Sequence, residues 1–401
     1  TLAASLIWGI NTIFLLDAGL NNLEAFAANA FFTAGMVLFE VPTGIVADTV
    51  GRRASYLLGT LTLMASTLFY VLLWAIEAPF WMWAISSILL GLGFTFFSGA
   101  VEAWLVDALK ATGFAGDVET VFGRGQAISG VGMLTGSLAG GFVAAETTLG
   151  VPFLMRGAIL LIMFAIAWRL MHDVGFTAER RGKLVGEMRK IVTASLDYGW
   201  RVPAVKWLML EALFIGGVGI YVFYALQPHL LELYGDETAY QVAGLVAAII
   251  AGAQILGGFA APRIRRLFHR RTSALILTAS ATIGTLFAIG LVDSFAGVLV
   301  FTAIWGLLFA ATTPIRQAYI NGLIPSRQRA TILSFDSLMS SSGGVWAQPL
   351  LGRSADVWGY GTSFVISAGI SSLALPCLVA SRRQNAPADT VQTVDAEPAA
   401  A

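Results

Sequence analysis

Apolar residues occur in long uninterrupted runs in this chain. Runs of about 18 or more residues, enough to cross the hydrocarbon core of a bilayer as a helix, recur along its whole length. We predict twelve such spans, numbered 1 to 12 in chain order: 2–20, 25–47, 54–76, 80–106, 123–145, 152–171, 207–227, 240–261, 272–292, 296–320, 330–351 and 362–380. One soluble core cannot hide a dozen such helices, so we predict an all-α integral membrane fold.

The spans fall into two groups of six. We predict an N-terminal bundle (1–171), a linker (172–206), a C-terminal bundle (207–381) and a disordered polar tail (382–401). Within the linker, residues 183–200 place their apolar side chains on one helical face, which indicates an amphipathic helix on the lipid surface. A solvated connector is the alternative.

Positive charge lies on one side of the predicted bundle. All but three of the 24 Lys and Arg residues fall in the loops 48–53, 107–124, 169–206, 262–271 and 321–329 or in the tail. The exceptions are Arg156 and Arg353, which we assign to the outer side, and Arg316, inside a span. By the positive-inside rule we predict that both termini are cytoplasmic, in a cell (inner or plasma) membrane.

Composition excludes several classes of protein. The chain is 57% apolar and 12% charged, with zero formal net charge, so nothing suggests a nucleic-acid partner. Its three histidines lie in separate loops and predict no metal site, and no phosphate-binding loop is present. We therefore expect no enzyme and no cofactor, with an ion or solute gradient as the energy source. We also expect a monomer in contact with lipid.

A constant offset of 214 residues indicates an internal repeat. The offset pairs Glu40 with Gln254, Gly44 with Gly258, Arg52 with Arg266, Glu102 with Arg316 and Asp107 with Asn321. Asp48 falls on Pro262, so the second copy lacks this acid. The pattern predicts two related but unequal bundles.

A short polar turn joins spans 2 and 3. Its spacing, Gly44-x3-Asp48-x2-Gly51-Arg52-Arg53, resembles the signature loop of the major facilitator superfamily. The resemblance covers nearly the whole chain and implies two pseudo-symmetric six-helix bundles around a cavity that opens alternately to each side. It also implies a charge relay of Asp48, Arg52 and Asp107. In this family the relay contacts the start of span 11 and stabilises the outward-open state.

Small residues recur in span 5. Gly123, Gly132, Gly136, Gly140 and Gly141 are similar to the glycine motif of proton-coupled drug antiporters, with Ser137 in place of the usual proline. Such spacing favours close helix packing, which an importer would use equally well. We expect Gly44 to permit a similar close approach.

Ionisable residues inside the spans are candidates for coupling, because charge is costly in the bilayer. We assign Glu102, Arg316 and Asp336 to proton coupling, with a structural Arg316–Asp336 ion pair as the alternative. We assign Glu40 to the gate or latch at 44–53, and we interpret Glu211 as a helix-end charge. Asp17 and Arg156 are placed nearer the outer ends of their spans.

Amides and aromatic rings supply the remaining candidates. We predict a cavity that suits a weakly polar small molecule and is lined by Asn11, Tyr221, Tyr224, Gln227, Gln317, Tyr319 and Gln348. Pro228 is expected to break span 7 as a gate.

Three functions fit these patterns. The first is proton-coupled efflux of small amphipathic molecules. The second is import or facilitated passage of a polar or anionic solute, with Arg316 as the anion contact. The third is a membrane receptor or scaffold that transports nothing.

Overall fold

The computed structural model describes residues 1–97, 99–114, 116, 118–178, 202–324 and 329–390, except the side chains of 118, 119, 258, 262, 265, 266 and 329–331. The amphipathic helix predicted at 183–200 lies outside these residues. The described part of the chain is almost entirely helical.

The helices follow the predicted order. Their bounds are Leu2–Trp8, Asn11–Asp17, Asn22–Thr49, Arg52–Ala75, Phe80–Thr95, Ala100–Ala111, Val118–Glu146, Gly150–Leu170, Pro203–Tyr234, Tyr240–Arg266, Arg271–Leu291, Phe295–Leu323, Arg329–Ser372 and Ala374–Arg383. Ten segments of the described chain are long and apolar enough to cross a membrane, and one of them, Ile332–Arg383, contains spans 11 and 12 together. The predicted all-α membrane fold is confirmed.

Five spans differ in detail from the prediction. Span 1 is two short helices separated at Gly9 and Ile10, and span 4 is broken before Gly99, whose φ is +67°. Spans 11 and 12 are joined by a single non-helical residue, Gly359, with φ +80°. Pro228 does not break span 7: the helix continues to Tyr234, because neighbouring groups in a bundle can compensate for the hydrogen bond that proline removes.

Side chains define several helix ends. Span 2 begins with a capping box, in which Asn21 accepts a hydrogen bond from the backbone of Glu24 and the Glu24 carboxylate accepts one from the backbone of Asn21. Ser294 caps span 10 by accepting from the N–H of Gly297 at 3.0 Å. Many large apolar side chains remain exposed on the outside of the bundle, as lipid contact requires.

The first part of the predicted tail is ordered. The helix of span 12 extends to Arg383, and Pro387–Asp389 forms a 3-10 turn. The carboxylate of buried Asp389 accepts from the backbone N–H and hydroxyl of Thr272, each at 2.8 Å. The prediction of disorder is therefore wrong for 382–390, because a buried carboxylate anchors this segment to the start of span 9. Residues 391–401 lie outside the described chain.

Candidate functional site

A cavity of about 520 Å³ lies between the two halves of the chain. Spans 1 to 6 contribute one wall, and spans 7, 8, 10 and 11 the other. Most of its lining is apolar or aromatic, and its polar groups are mainly amides and hydroxyls, including Asn11, Asn29, Thr33, Tyr70, Tyr224, Gln254, Ser340 and Ser341. The one lining residue with a formal charge, among those the structure describes, is Arg156.

A second space, here called the vestibule, adjoins this cavity. Met133 and Gln254 line both, so the two spaces share part of a wall. The vestibule also includes Glu102, Gln126 and Ile255, which lie toward the side of the bundle that carries the Arg-rich loops. We call this the basic side.

The two halves meet on the opposite side. The Asp356 carboxylate accepts from the backbone N–H groups of Asn22 and Leu23, each at 2.9 Å, so it caps the N-terminus of span 2 from the other half. Tyr360 donates to the Asn22 side chain. A Cβ at Gly352 would lie 2.7 Å from the Asn22 carbonyl oxygen, which shows how closely span 11 approaches span 2.

Two buried amides continue this closure toward the cavity. Gln227 of span 7 donates to the backbone oxygen of Trp8 at 2.8 Å. Gln348 of span 11 donates to the Gly344 carbonyl at 3.0 Å and lies 3.4 Å from the Thr33 hydroxyl. Together with the Asp356 contacts, they close the opposite side while the vestibule leads toward the basic side.

Four of the five glycines named in span 5 lie at two helix crossings, whereas a Cβ at Gly123 meets nothing within 4 Å. A Cβ at Gly136 or Gly140 would overlap Ser5 or the Leu6 carbonyl of span 1. One at Gly141 would lie 2.8 Å from the Gly244 Cα of span 8, in the other half. Gly132 is less crowded, with its nearest neighbour in span 1 at 3.6 Å.

The turn between spans 2 and 3 gathers its charges on the basic side. Arg52 contacts Asp48 at 2.5 Å and lies 3.9 Å from Asp107, so the structure brings the three predicted residues together. Arg53 instead donates to the Trp168 carbonyl at the end of span 6, at 2.5 Å. Gly51 has φ +132°, and a Cβ there would overlap the Asp173 carboxylate, which accepts from the N–H of Arg53 at 2.8 Å.

Gly44 does not make the predicted close approach. A Cβ at this position meets nothing within 4 Å. The physical reason is that, among the described residues, no atom of another helix packs against span 2 at this position.

A buried charge cluster links spans 7, 10 and 11. Arg316 forms a bidentate pair with Asp336, with both contacts at 2.7 Å, and its Nε donates to Glu211 at 2.7 Å. Glu211 is only 2% exposed, so its interpretation as a helix-end charge is wrong: the helix begins two turns earlier, at Pro203. Ser340, one turn beyond Asp336, lines the cavity, so this cluster lies just on its basic side.

The other acidic candidates are more accessible. Glu102 is exposed in the vestibule, in the first turn after the break in span 4. Glu40 is exposed two turns before Asp48 on span 2. No group of three or more His, Cys, Asp and Glu side chains among the described residues is arranged to hold a metal ion.

Arg156 is the functional candidate that the sequence reasoning misplaced. It is 2% exposed and lines the central cavity instead of lying at the outer surface. Its guanidinium lies 5.8 Å from the centroid of the Phe94 ring, and its electrostatic neighbours include Tyr70 and Tyr224. A charge within the apolar run Gly150–Leu170 was the signal available in the sequence.

Five of the seven predicted cavity residues lie elsewhere. Asn11 and Tyr224 line the cavity. Tyr221 is buried in the C-terminal bundle and donates to Ser363, and Tyr319 is buried beside Ser381. Gln227 and Gln348 pack between the halves, as described above, and Gln317 is exposed. These side chains point away from the cavity because helix rotation, which hydropathy does not specify, decides which face each span turns inward.

Comparison with known proteins agrees with this architecture. The family model of the Major Facilitator Superfamily matches residues 1–347, so the chain belongs to this family. It is a multi-pass membrane transporter and not an enzyme. The narrower resemblance to drug antiporters has no counterpart in these comparisons, and no curated protein matches the chain.

Solved structures with the same fold transport different molecules. The nucleoside transporter NupG aligns with a TM-score of 0.77 at 11% identity, covering 95% of this chain and 97% of its own. A D-xylose-proton symporter aligns at 0.69 with 15% identity, covering 94% and 95%. A bacterial homolog of the human lysosomal transporter Spinster, in an inward-facing and unoccupied conformation, aligns at 0.71 with 16% identity, covering 98% and 96%. At these identities the likeness shows the fold alone.

Proposed function

We propose that this protein exports small amphipathic molecules from the cytoplasm by proton-coupled alternating access. The basic side is assigned to the cytoplasm because loops rich in Lys and Arg are retained there. The observation that carries the proposal is the vestibule on the basic side, which adjoins the central cavity at Met133 and Gln254, combined with closure on the opposite side by Asp356. Such an arrangement is one end state of a rocking-bundle cycle.

The cavity lining supports an amphipathic substrate. Trp8, Phe94, Trp305 and Phe309 offer ring surfaces, while Asn29 and Gln254 offer amides. A few polar groups in an apolar pocket orient a ligand, and the rings supply contact area.

Two acidic sites support proton coupling. Glu102 faces the vestibule, where it can exchange protons with the basic side. In the second site, two carboxylates share one guanidinium, so a proton on either carboxylate leaves Arg316 to pair with the other alone. Because Glu211, Arg316 and Asp336 lie on three different spans, such a change of pairing alters how these spans are held together.

Reconstituted protein tests the coupling. Proteoliposomes carrying an internal pH dye receive a panel of cationic, neutral and anionic amphipathic compounds, with an imposed pH gradient. We expect at least one compound to drive proton movement, and we expect Glu102→Gln and Asp336→Asn to abolish it. If both variants retain pH-driven transport, the assignment of these proton carriers is wrong.

Import or facilitated passage of an anionic solute is the second candidate. One observation favours it, namely the positive charge of Arg156 in the cavity wall. Arg316, the anion contact expected from the sequence, is instead paired with two carboxylates. Measuring uptake in both vesicle orientations distinguishes export from import.

A further inference from the structure

The central cavity contains a cation that no carboxylate of the described residues neutralises. Arg156 is 2% exposed, and no carboxylate among the described residues lies within 4 Å of its guanidinium. A buried charge without a partner is strongly destabilising, and intramembrane charges are retained mostly where they act on a substrate or an ion. Arg316, which is only partly buried, differs in having two carboxylate partners, Glu211 and Asp336.

The unsatisfied polar atoms of the cavity wall are donors. The buried Nε of Arg156 has no hydrogen-bond partner, and neither does the buried Nδ2 of Asn29, although Asn29 Oδ1 accepts from Asn11 at 3.0 Å. Both residues line the same cavity. Buried donors are nearly always paired in folded proteins, so two unpaired donors on residues that line one cavity favour a ligand rich in acceptor oxygens.

Aromatic rings surround the Arg156 guanidinium, and the described part of the cavity wall offers it no negative charge. Phe94 lies under the Arg156 guanidinium, and Tyr70 is held by a 2.5 Å contact between its hydroxyl and that of Ser87. No lining residue among those described carries a negative charge, so nothing in this wall repels an anion. A single arginine balances a single negative charge, whereas a dianion would keep one uncompensated charge in an apolar cavity.

We propose that Arg156, with Asn29, binds the anionic group of the transported molecule, and that the substrate is an organic monoanion, a carboxylate on an aromatic or aliphatic body. A guanidinium pairs with both oxygens of a carboxylate in a planar, bidentate arrangement, and the aromatic wall accommodates the apolar body. This inference rests on the proposed function, because it concerns the cavity assigned there to the substrate.

Binding to the purified protein tests the inference without requiring transport. Three matched pairs are compared by thermal shift and calorimetry: indole-3-acetate with indole-3-acetamide, 2-naphthoate with 2-naphthamide, and octanoate with octanamide. We expect at least one carboxylate to bind the unmodified protein more tightly than its amide. If no carboxylate is preferred to its amide in any pair, the inference is overturned, whatever the behaviour of the variants.

Single substitutions show which residue produces the preference for a carboxylate over its amide. Arg156→Gln is expected to weaken carboxylate binding by about 30-fold or more while leaving the amide unaffected, and Arg156→Lys to retain part of the preference. Arg353→Gln, an exposed arginine on the opposite side, is the matched control and is expected to change neither. A carboxylate preference that survives in folded Arg156→Gln places the anion elsewhere and overturns the assignment to this residue.

The inference and the proposed function can fail separately. A protein that discriminates carboxylate from amide but moves no solute in proteoliposomes disproves transport alone. A protein that transports compounds of the panel without any carboxylate preference disproves the anion site alone.

Discussion

Asp356 of span 11 caps the first turn of span 2, accepting hydrogen bonds from the backbone N–H groups of Asn22 and Leu23 at 2.9 Å each. The two residues belong to different halves of the chain, so these bonds must break for the opposite side to open. Hydrogen bonds to a charged group contribute about 1.5–3 kcal/mol each in proteins. We therefore regard this contact as the gate of the opposite side.

Replacing Asp356 is expected to open this gate. Asp356→Ala should favour the opposite-side-open state by about 1.5–3 kcal/mol in total, because the N-terminus of span 2 loses its partner in the other half. This is less than two full hydrogen bonds, since Asp356 is exposed and water replaces part of the lost contacts. The measurement is the rate at which an impermeant maleimide, added from that side, labels a single cysteine at the cavity residue Ile220. Asp293→Asn, an exposed acid on the same side, is the control, and equal labelling rates in the two variants would contradict the role of Asp356.

The charge cluster of Asp48, Arg52 and Asp107 should control the basic side instead of the opposite side. Asp48 pairs with Arg52, which lies 3.9 Å from Asp107, and the family resemblance assigns this group to latching the state closed on the basic side. We expect Asp48→Asn to reduce the population of that state without changing which compounds bind. Labelling from the basic side measures the first effect, the binding panel measures the second, and Glu146→Gln is the control. A changed substrate range would show that this turn has been misassigned.

The Arg316 cluster should behave as a unit. Arg316→Met leaves Glu211 and Asp336 buried without a cation, which typically costs about 3–5 kcal/mol. We expect a large fall in melting temperature, and substantial recovery when Glu211→Gln and Asp336→Asn are added to the same variant. Arg353→Met, at an exposed site, should melt like the unmodified protein. No recovery in the triple variant would mean that Arg316 acts through packing and not through charge.

The crossing of spans 5 and 8 should tolerate no added bulk. A Cβ at Gly141 would lie 2.8 Å from both the Gly244 Cα and the Tyr240 carbonyl oxygen, so Gly141→Ala must move backbone and should cost about 1–3 kcal/mol. At Gly252, in contrast, a Cβ meets nothing within 4 Å, and Gly252→Ala should be neutral or slightly stabilising. Thermal unfolding in detergent compares the two, and equal melting temperatures would contradict the crossing.

Hydropathy and charge predicted the features of this fold that are set by contact with lipid and water. Apolar run lengths located the twelve spans, and the basic loops identified one side of the bundle. The spacing of Asp48, Arg52 and Asp107 predicted a cluster that the structure brings together, because a short turn leaves its two helices few relative positions.

The cavity was harder to predict, for a physical reason. In a soluble helix the polar face marks the outside, but a membrane span is apolar toward lipid and largely apolar toward this cavity as well. Packing then decides the rotation of each span: Tyr221 faces Ser363, while Tyr224, three residues further on and about 60° away around the helix, faces the cavity. Arg156 lies near the outer end of span 6 in both the prediction and the structure, and the rotation of the helix turns its side chain into the cavity wall.

Alternating access is the central claim, and distances across the two sides test it most directly. Spin labels are attached in pairs, with Cys377 replaced, at Val50 and Leu267 on the basic side and at Ile76 and Glu237 on the opposite side, all of which are exposed. Pulsed electron–electron double resonance then reports both distances in the labelled protein with Asp356 intact and in the same protein carrying Asp356→Ala. We predict opposite changes: the Asp356→Ala substitution lengthens the Ile76–Glu237 distance and shortens the Val50–Leu267 distance. If the two distances do not change, or if both lengthen together, the two sides do not open in alternation and the account is contradicted.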